Sequence, residues 1–209
     1  ILSTVPTRVE LHEVVADDVC GWARWTMLVN GTVPVRGQSI YRFEDGLVRF
    51  NADMLDTRAY EKATGREGRT DVRSSSGAAV GIGAPNGPAE ALVRRFWSTQ
   101  DNRTYEPLAE LFTDDAVFED MLLGRFEGIE KVRGFLRRMD EEMPAGGITF
   151  SLVDVAAGTT CAWTQWLCRL PGGELAGWTL HRVRGDRFTL DFDSYDTATQ
   201  RRIGLAGAA

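Results

Sequence analysis

The chain has two lysines, at 62 and 131, two histidines, at 12 and 181, and three cysteines, at 20, 161 and 168. Each scarcity excludes something. Three cysteines embedded in strand-like runs cannot build a disulfide framework, and they do not fall at metal-ligand spacing. The thiols therefore read as small core residues, and no metal is expected. A net charge of −6 and a pI near 5.1 leave no basic footprint for nucleic acid or an anionic membrane, so neither partner is expected. No apolar run approaches the roughly 20 residues that cross a bilayer. Residues 1–25 lack the basic-then-apolar order of a secretion signal, which makes the cytoplasm the default location. There is also no dinucleotide loop, nucleophile elbow or haem motif. The sequence Gly81-Ile-Gly83 lacks the preceding strand and following helix of a phosphate loop, so no cofactor is expected. Basic residues are almost all arginine, a bias of GC-rich bacterial genomes.

What the chain does have is a repeat. Its 209 residues, 43% hydrophobic, suffice for one large or two small domains. Cys20-Gly-Trp-Ala-Arg-Trp25 aligns with Cys161-Ala-Trp-Thr-Gln-Trp166, and Gly31 aligns with Gly172, at an offset of 141. After a one-residue gap the offset becomes 140, pairing Arg42 with Arg182, Asp53 with Asp193, Asp56 with Asp196 and Thr57 with Thr197. A motif match followed by four identities in register indicates a tandem duplication.

The two copies differ in content. The first holds only strands, expected at 8–15, 19–29, 35–44 and 47–53, with an Asp-Gly hairpin signal at Asp45-Gly46. The second begins with helices expected at 88–99, 105–112 and 129–143, the last marked by the apolar stripe Ile129, Val132, Leu136, Met139 and Met143. Strands follow at 115–119, 148–156, 160–169, 175–184 and 187–193. The expected organisation is an incomplete first copy at 1–58, a Gly/Ser/Arg-rich linker at 59–87, a complete domain at 88–200 and a tail at 201–209. A complete first copy would need roughly fifty further residues before Ile1, which is not an initiator Met. The chain is therefore expected to be a fragment, to be cleaved, or to be preceded by further sequence. A four-stranded sheet without helices is expected to expose an apolar face. In the 160–169 run, Cys161, Trp163 and Gln165 alternate with Ala162, Thr164, Trp166 and Cys168. Both faces of that sheet thus carry large apolar groups and need covers. Helices supply one, and the first copy's sheet, packed as a pseudo-dimer, supplies the other.

The order of one long helix and then four strands, with Phe112-Thr-Asp-Asp-Ala-Val-Phe-Glu-Asp120 at its centre, resembles the cone-shaped α+β fold of nuclear transport factor 2, ketosteroid isomerase and the SnoaL-like polyketide cyclases. The resemblance to ketosteroid isomerase, over 93–136, places that family's proton-shuttling Asp at Asp120. Its oxyanion-donating Tyr falls on Phe96 and its second acid on Thr179, so steroid isomerase chemistry is not implied. The resemblance to the SnoaL-like cyclases, over 177–196, places the catalytic Asp at Asp193 and the assisting His position at Thr179. His181, Asp191 and Tyr195 share those faces by strand parity. Carboxylates converging in an apolar cavity separate in pKa into one acid and one base, which suits cyclisation, isomerisation, dehydration or epoxide opening.

The resemblance implies Asp120, Asp193 and His181 as catalytic, with Thr179, Asp191, Tyr195, Phe96 and Trp97 lining the substrate site. The substrate class is a hydrophobic small molecule such as a polyketide intermediate from secondary metabolism. Other readings of the same residues stand beside these: a turn-capping Asp120, an outward polar edge at Asp191 and Asp193, and a core His181 satisfied by a backbone carbonyl. As a whole the chain also fits a non-catalytic ligand-binding or scaffolding protein, or a protein-interaction module, of the same fold. Asp196 is expected to cap the turn after the last strand. In the first copy Ser39 and Tyr41 replace Thr179 and His181.

Overall fold

Tight turns organise the first quarter of the chain. Asn30 and Gly31, and then Asp45 and Gly46, take left-handed φ angles of 54°, 73°, 53° and 72°, the conformation that tight hairpin turns need, in a three-residue connection from 30 to 32 and a two-residue one at 45 and 46. They join β2 (Cys20–Val29) to β3 (Val33–Glu44) and β3 to β4 (Leu47–Leu55). With β1 (Thr7–Ala16) these form an antiparallel sheet in the order β1-β2-β3-β4. The computed structural model of the chain describes residues 6–67, 87–100, 104–142, 148–170 and 172–203.

The segment expected to be a strand-only first copy is not strands alone. Helix α1 (Thr57–Thr64) begins where the linker was expected, because the Asp56 side chain caps it by accepting from Ala59 N, and Gly65 ends it at φ 67°. Ala59, Tyr60 and Ala63 pack over Met27, Val29 and Val35 and cover part of the outer face of the sheet. The apolar exposure expected there is confined to a smaller area that includes Val9, Leu11 and Val14 on β1. The rest of the expected linker, from 68 to 86, lies outside the described residues.

The second part opens with α2 (Pro88–Gln100), a 3-10 turn (Glu106–Leu111), β5 (Phe112–Asp120), a short β6 (Gly124–Glu127) that the pattern did not announce, and α3 (Ile129–Glu142). Then come β7 (Thr149–Ala157), β8 (Cys161–Leu170), β9 (Gly173–Arg184), β10 (Arg187–Tyr195) and α4 (Thr197–Arg202). Asp196 caps α4 as expected, accepting from Thr199 N, and the helix runs into the segment read as tail. The sheet order is β6-β5-β10-β9-β8-β7, with β5 parallel to β10 and the other pairs antiparallel.

Strand alternation gives the six-stranded sheet two buried faces. Ala162, Trp166 and Cys168 point toward α2, the 3-10 turn and α3, joining Leu92, Val93, Phe96, Phe112, Val132 and Leu136 in the main core. Cys161 and Trp163 point the other way and pack with Trp178, Leu180, Leu190 and Phe192 against Cys20, Trp22, Ile40 and Met54 of the first sheet.

The contacts between the sheets come in reciprocal pairs. Trp22 Nε1 donates to the His181 carbonyl at 3.0 Å, and Trp163 Nε1 to the Tyr41 carbonyl at 2.7 Å. Arg42 pairs with Asp154, and Arg182 with Glu13. Thr57 donates to Asp196 at 2.6 Å, and Thr197 to Asp56 at 2.7 Å. The equivalent residues of the two contacts in each pair are offset by 140 or 141, so the two sheets meet with the self-complementarity of a twofold interface.

Candidate active site

The polar residues of the cone floor sit in two rows fixed by strand register. In one, Phe118, Asp191, His181 and Ala162 lie side by side across β5, β10, β9 and β8. In the next, Asp120, Asp193, Thr179 and Thr164 do the same. Directly opposed residues share a face, so this one surface gathers Asp120, Asp191, Asp193, Thr179 and His181, and the Tyr195 hydroxyl joins it through Asp120. Two separate segments thus deliver their acids to one place.

Asp120 closes the end of β5. Its Oδ1 accepts from Leu122 N and Leu123 N at 2.8 Å each and from the Tyr195 hydroxyl at 3.0 Å; none of these bonds uses Oδ2. The turn-capping role and a place on the floor therefore coexist in one carboxyl. Burial raises its pKa above the usual carboxylate value, and the three hydrogen bonds oppose that rise. The Tyr195 hydroxyl is pushed up by burial and by Asp120, so it stays protonated and donates.

Asp193 accepts from the Thr179 hydroxyl at 2.6 Å, and the Trp166 indole N–H donates to the same Thr179 oxygen at 3.0 Å. Burial drives the Asp193 pKa well up, the nearby Asp191 and Asp120 add to it, and the Thr179 bond works against it. Asp191, fully buried, is also raised well above the carboxylate range by burial. The outward polar edge is thereby excluded for Asp191. His181 is equally buried, and burial lowers its pKa to about 3, so the imidazole is neutral.

His181 Nδ1 approaches Asp191 Oδ2 to 2.9 Å, yet off the direction of a hydrogen bond, and neither ring nitrogen nor either Asp191 oxygen has a hydrogen-bond partner. The backbone carbonyl expected to satisfy a core histidine is not there. Phe188 stacks on the ring at 4.7 Å and Phe96 meets it edge-on at 5.9 Å. Trp97 packs beside Trp166 and Phe150, and its Nε1 is also buried and unpartnered. Phe96 and Trp97 thus belong to the main core.

Sequence reading passed over two residues. Thr164, cross-strand from Thr179, has a buried hydroxyl without a partner. Trp166 holds Thr179. Parity along β8 already put both on the cone face, and the duplicated Trp of the Cys-x-Trp-x-x-Trp motif was the available signal. An open cleft of about 420 Å³, lined by Arg95, Arg133, Arg187, Glu110, Asp114 and Asp186 among others, lies elsewhere and contains none of the candidate residues.

Away from the cone, Asp17, Cys20 and Cys161 bring three ligand-type atoms within 4.8 Å of one another. These residues are far apart in the chain, so their spacing in sequence gave no sign of the cluster. Asp17 already accepts from the backbone N–H groups of Val19, Cys20, Thr159 and Thr160. Burial raises its pKa, but those four bonds outweigh it and leave the carboxyl below its usual value.

A helix-roofed cone whose curved sheet carries buried acids on its inner face defines an α+β, nuclear transport factor 2-like protein. Residues 93–191 match the family model of the SnoaL-like domain. No curated protein matches the chain. Among solved structures it is similar to a hypothetical protein with a ketosteroid isomerase-like fold from Catenulispora acidiphila, in complex with trimethylamine, with 19% identity, a TM-score of 0.47, and 56% of this chain and 95% of that one covered. It is also similar to NTF2-like proteins of unknown function from Burkholderia xenovorans (15% identity, TM-score 0.45, 55% and 87% covered) and Mesorhizobium loti (20%, 0.45, 54% and 97%). Among the described residues no helix is long and apolar enough to cross a membrane.

Proposed function

We propose that the chain is a cofactor-independent acid–base enzyme, a cyclase, isomerase or dehydratase, acting on a hydrophobic small molecule with polar oxygens, such as a polyketide intermediate. The observation that carries this reading is the set of buried polar atoms without partners on the cone face: Asp191 Oδ1 and Oδ2, both His181 nitrogens, Thr164 Oγ1 and Trp97 Nε1. Leaving such groups unpaired costs about 1–3 kcal/mol each, and a ligand carrying carbonyl and hydroxyl groups would satisfy them. The surrounding rings, Phe96, Trp97, Phe188 and Trp166, supply the apolar walls.

The roles divide by environment. Asp193 has a hydrogen-bond donor in Thr179, while Asp191 is wholly buried without one. On this reading that bond outweighs the neighbouring acids, which raise the Asp193 pKa, and makes Asp193 the base that takes a proton from a carbon next to a carbonyl. Asp191 keeps its proton and, with neutral His181, returns it to the developing oxyanion or to a leaving hydroxyl. Trp97 N–H and Thr164 orient the substrate oxygens. Asp120, held by Tyr195 and the turn, raises the pKa of Asp193 by its charge. On this reading residues 88–200 are the catalytic unit, and the first sheet is its fixed partner, an internal pseudo-dimer taking the place of a homodimer.

Turnover of a panel of aromatic and polycyclic β-keto compounds, followed by mass spectrometry, tests it. Asp193→Asn is expected to lower the rate about 10²–10⁴-fold while ligand affinity survives. Unchanged turnover in both Asp193→Asn and Asp120→Asn would rule the enzyme out and leave a binding protein.

A further inference from the structure

One contact between the two sheets joins two thiols. Cys20 and Cys161, the paired first residues of the duplicated Cys-x-Trp-x-x-Trp motif, are both fully buried, and their Sγ atoms lie 3.4 Å apart. Each Sγ also reaches the other residue's backbone carbonyl, at 3.3 and 3.2 Å, so the pair is arranged reciprocally. Each thiol has one proton. For it they offer more acceptors than they can use: two carbonyls, two sulfurs and Asp17 Oδ2, 3.6 Å from Cys161. Nothing in this arrangement needs the thiols to remain separate, and no side chain intervenes between them.

We propose that Cys20 and Cys161 form an oxidation site, a dithiol that closes to a disulfide and fastens the first sheet covalently to the SnoaL-like domain. A disulfide needs its sulfurs at about 2.05 Å, so closure asks the two facing atoms to approach by about 1.4 Å. The loop it closes spans 141 residues, and longer loops gain most from a cross-link. The oxidant is a low-molecular-weight disulfide. One cysteine thiolate attacks it, forming a mixed disulfide and expelling one small thiolate. The second cysteine then attacks the protein sulfur of that mixed disulfide, forming the Cys20–Cys161 bond and expelling the other. The two cysteine protons end on the two released thiols, so the protein loses two hydrogens and the oxidant gains them.

Entry is through the adjacent turn. Asp18 and Val19 are exposed and lead directly into Cys20, while Asp17 bridges this turn to Thr159 and Thr160 before Cys161. Fraying of that one turn uncovers the pair without disturbing the cone. At rest, the contact with Cys20 and burial push the Cys161 thiol well above its usual range, which keeps the reduced pair inert until the turn opens. Cys168 is a built-in control. It is buried on the opposite face of the same strand, with a pKa pushed up to about 12 by burial and no thiol beside it.

The test treats the folded chain with oxidised glutathione, quenches with acid and maps the peptides without reduction. The expected product is a monomeric chain lighter by two hydrogens, with a Cys20–Cys161 cross-linked peptide, Cys168 still free, a raised thermal midpoint, and full reversal by dithiothreitol. Recovery of Cys20 and Cys161 as free thiols, or as separate glutathione adducts, would overturn the proposal. So would a cross-link that forms only in denaturant strong enough to unfold the sheets. Because the readout is on the unmodified chain, no variant has to fold for the result to count.

Discussion

Thr179 donates its hydroxyl proton to Asp193 at 2.6 Å across the β9–β10 ladder, and it does so with the Trp166 N–H already bound to its oxygen. The indole is a donor only, so the chain of hydrogen bonds runs one way and ends on the carboxylate. The other sheet repeats it: Trp25 donates to Ser39 at 2.9 Å and Ser39 to Asp53 at 2.5 Å. Asp53 is exposed, whereas Asp193 faces two further acids, so of the two sheets only the six-stranded one places the relay where it can separate one carboxylate from its neighbours.

The first prediction follows from that relay. Thr179→Val keeps the shape and removes the one side-chain donor bonded to Asp193, so the Asp193 pKa should rise further. Thr179→Ser should restore it. Carbon-13 NMR titration of the carboxyl groups reads this directly, and an unmoved Asp193 in the Val variant would show that the hydroxyl does not control its charge.

Gly177 is the residue the Trp166 ring lies against. A Cβ there would stand 2.1 Å from ring atoms, so Gly177→Ala must displace the indole that holds Thr179. Overpacking of this kind costs about 1–3 kcal/mol. The matching Gly37, against the less buried Trp25, should cost less when changed to Ala, because that ring has room to move. Urea denaturation of both variants checks the order, and equal losses would contradict it.

Much of the fold could be read from the residues, for a physical reason. Strand parity is rigid, so placing Trp163 and Trp166 on opposite faces of one strand already required covers on both sides, and both are present. The same parity put His181 with Thr179 and Asp191 with Asp193. What parity does not carry is hydrogen-bond satisfaction: no pattern distinguishes a histidine resting on a carbonyl from one with two unpaired nitrogens. Nor did composition reveal α1. Residues 57–64 are mostly polar, with only Ala59, Tyr60 and Ala63 apolar, and the helix exists because Asp56 caps it and those three pack on the outer face of the first sheet. The Cys20–Cys161 contact is a tertiary coincidence of two strand starts, legible only as a repeat.

Asp191 links the site to pH. Its folded pKa is raised well above that of an unfolded carboxyl, so the folded state holds this proton more tightly. Its contribution to stability is complete below about pH 4, where both states are protonated, and is lost as pH rises toward the folded pKa. Asp191→Asn removes that loss. The variant should be more stable than the wild type at pH 7 by a few degrees in thermal midpoint, roughly the effect of 1 kcal/mol or more in a chain this size, and the gap should close toward pH 4. A gap independent of pH would mean that Asp191 is already ionised in the folded chain. His181 acts in the opposite sense. Its lowered pKa of about 3 removes stability as pH falls below the unfolded value near 6.5, so the acid limb should flatten in His181→Phe.

The swapped caps of α1 and α4 test whether the two sheets are one cooperative unit. Thr57 donates to Asp196 and Thr197 to Asp56, their hydroxyl oxygens lie 3.4 Å apart, and each oxygen also accepts a backbone N–H from the other helix, Ala198 N at 2.9 Å and Arg58 N at 3.0 Å. Thr57→Val therefore removes a donor from one carboxylate and an acceptor from one buried N–H, and Thr197→Val does the same in mirror image. Each change should cost about 1.5–3 kcal/mol, since the hydrogen bond is to a charged group and both threonines are buried. The double variant should lose less than the sum, because adjoining groups in one network couple by about 0.5–3 kcal/mol. Denaturant unfolding should remain a single transition in every variant if the first sheet and the cone fold together. Two separated transitions, with only the earlier one shifted by Thr57→Val, would mean that the first sheet is an independent unit and that the cone does not depend on it.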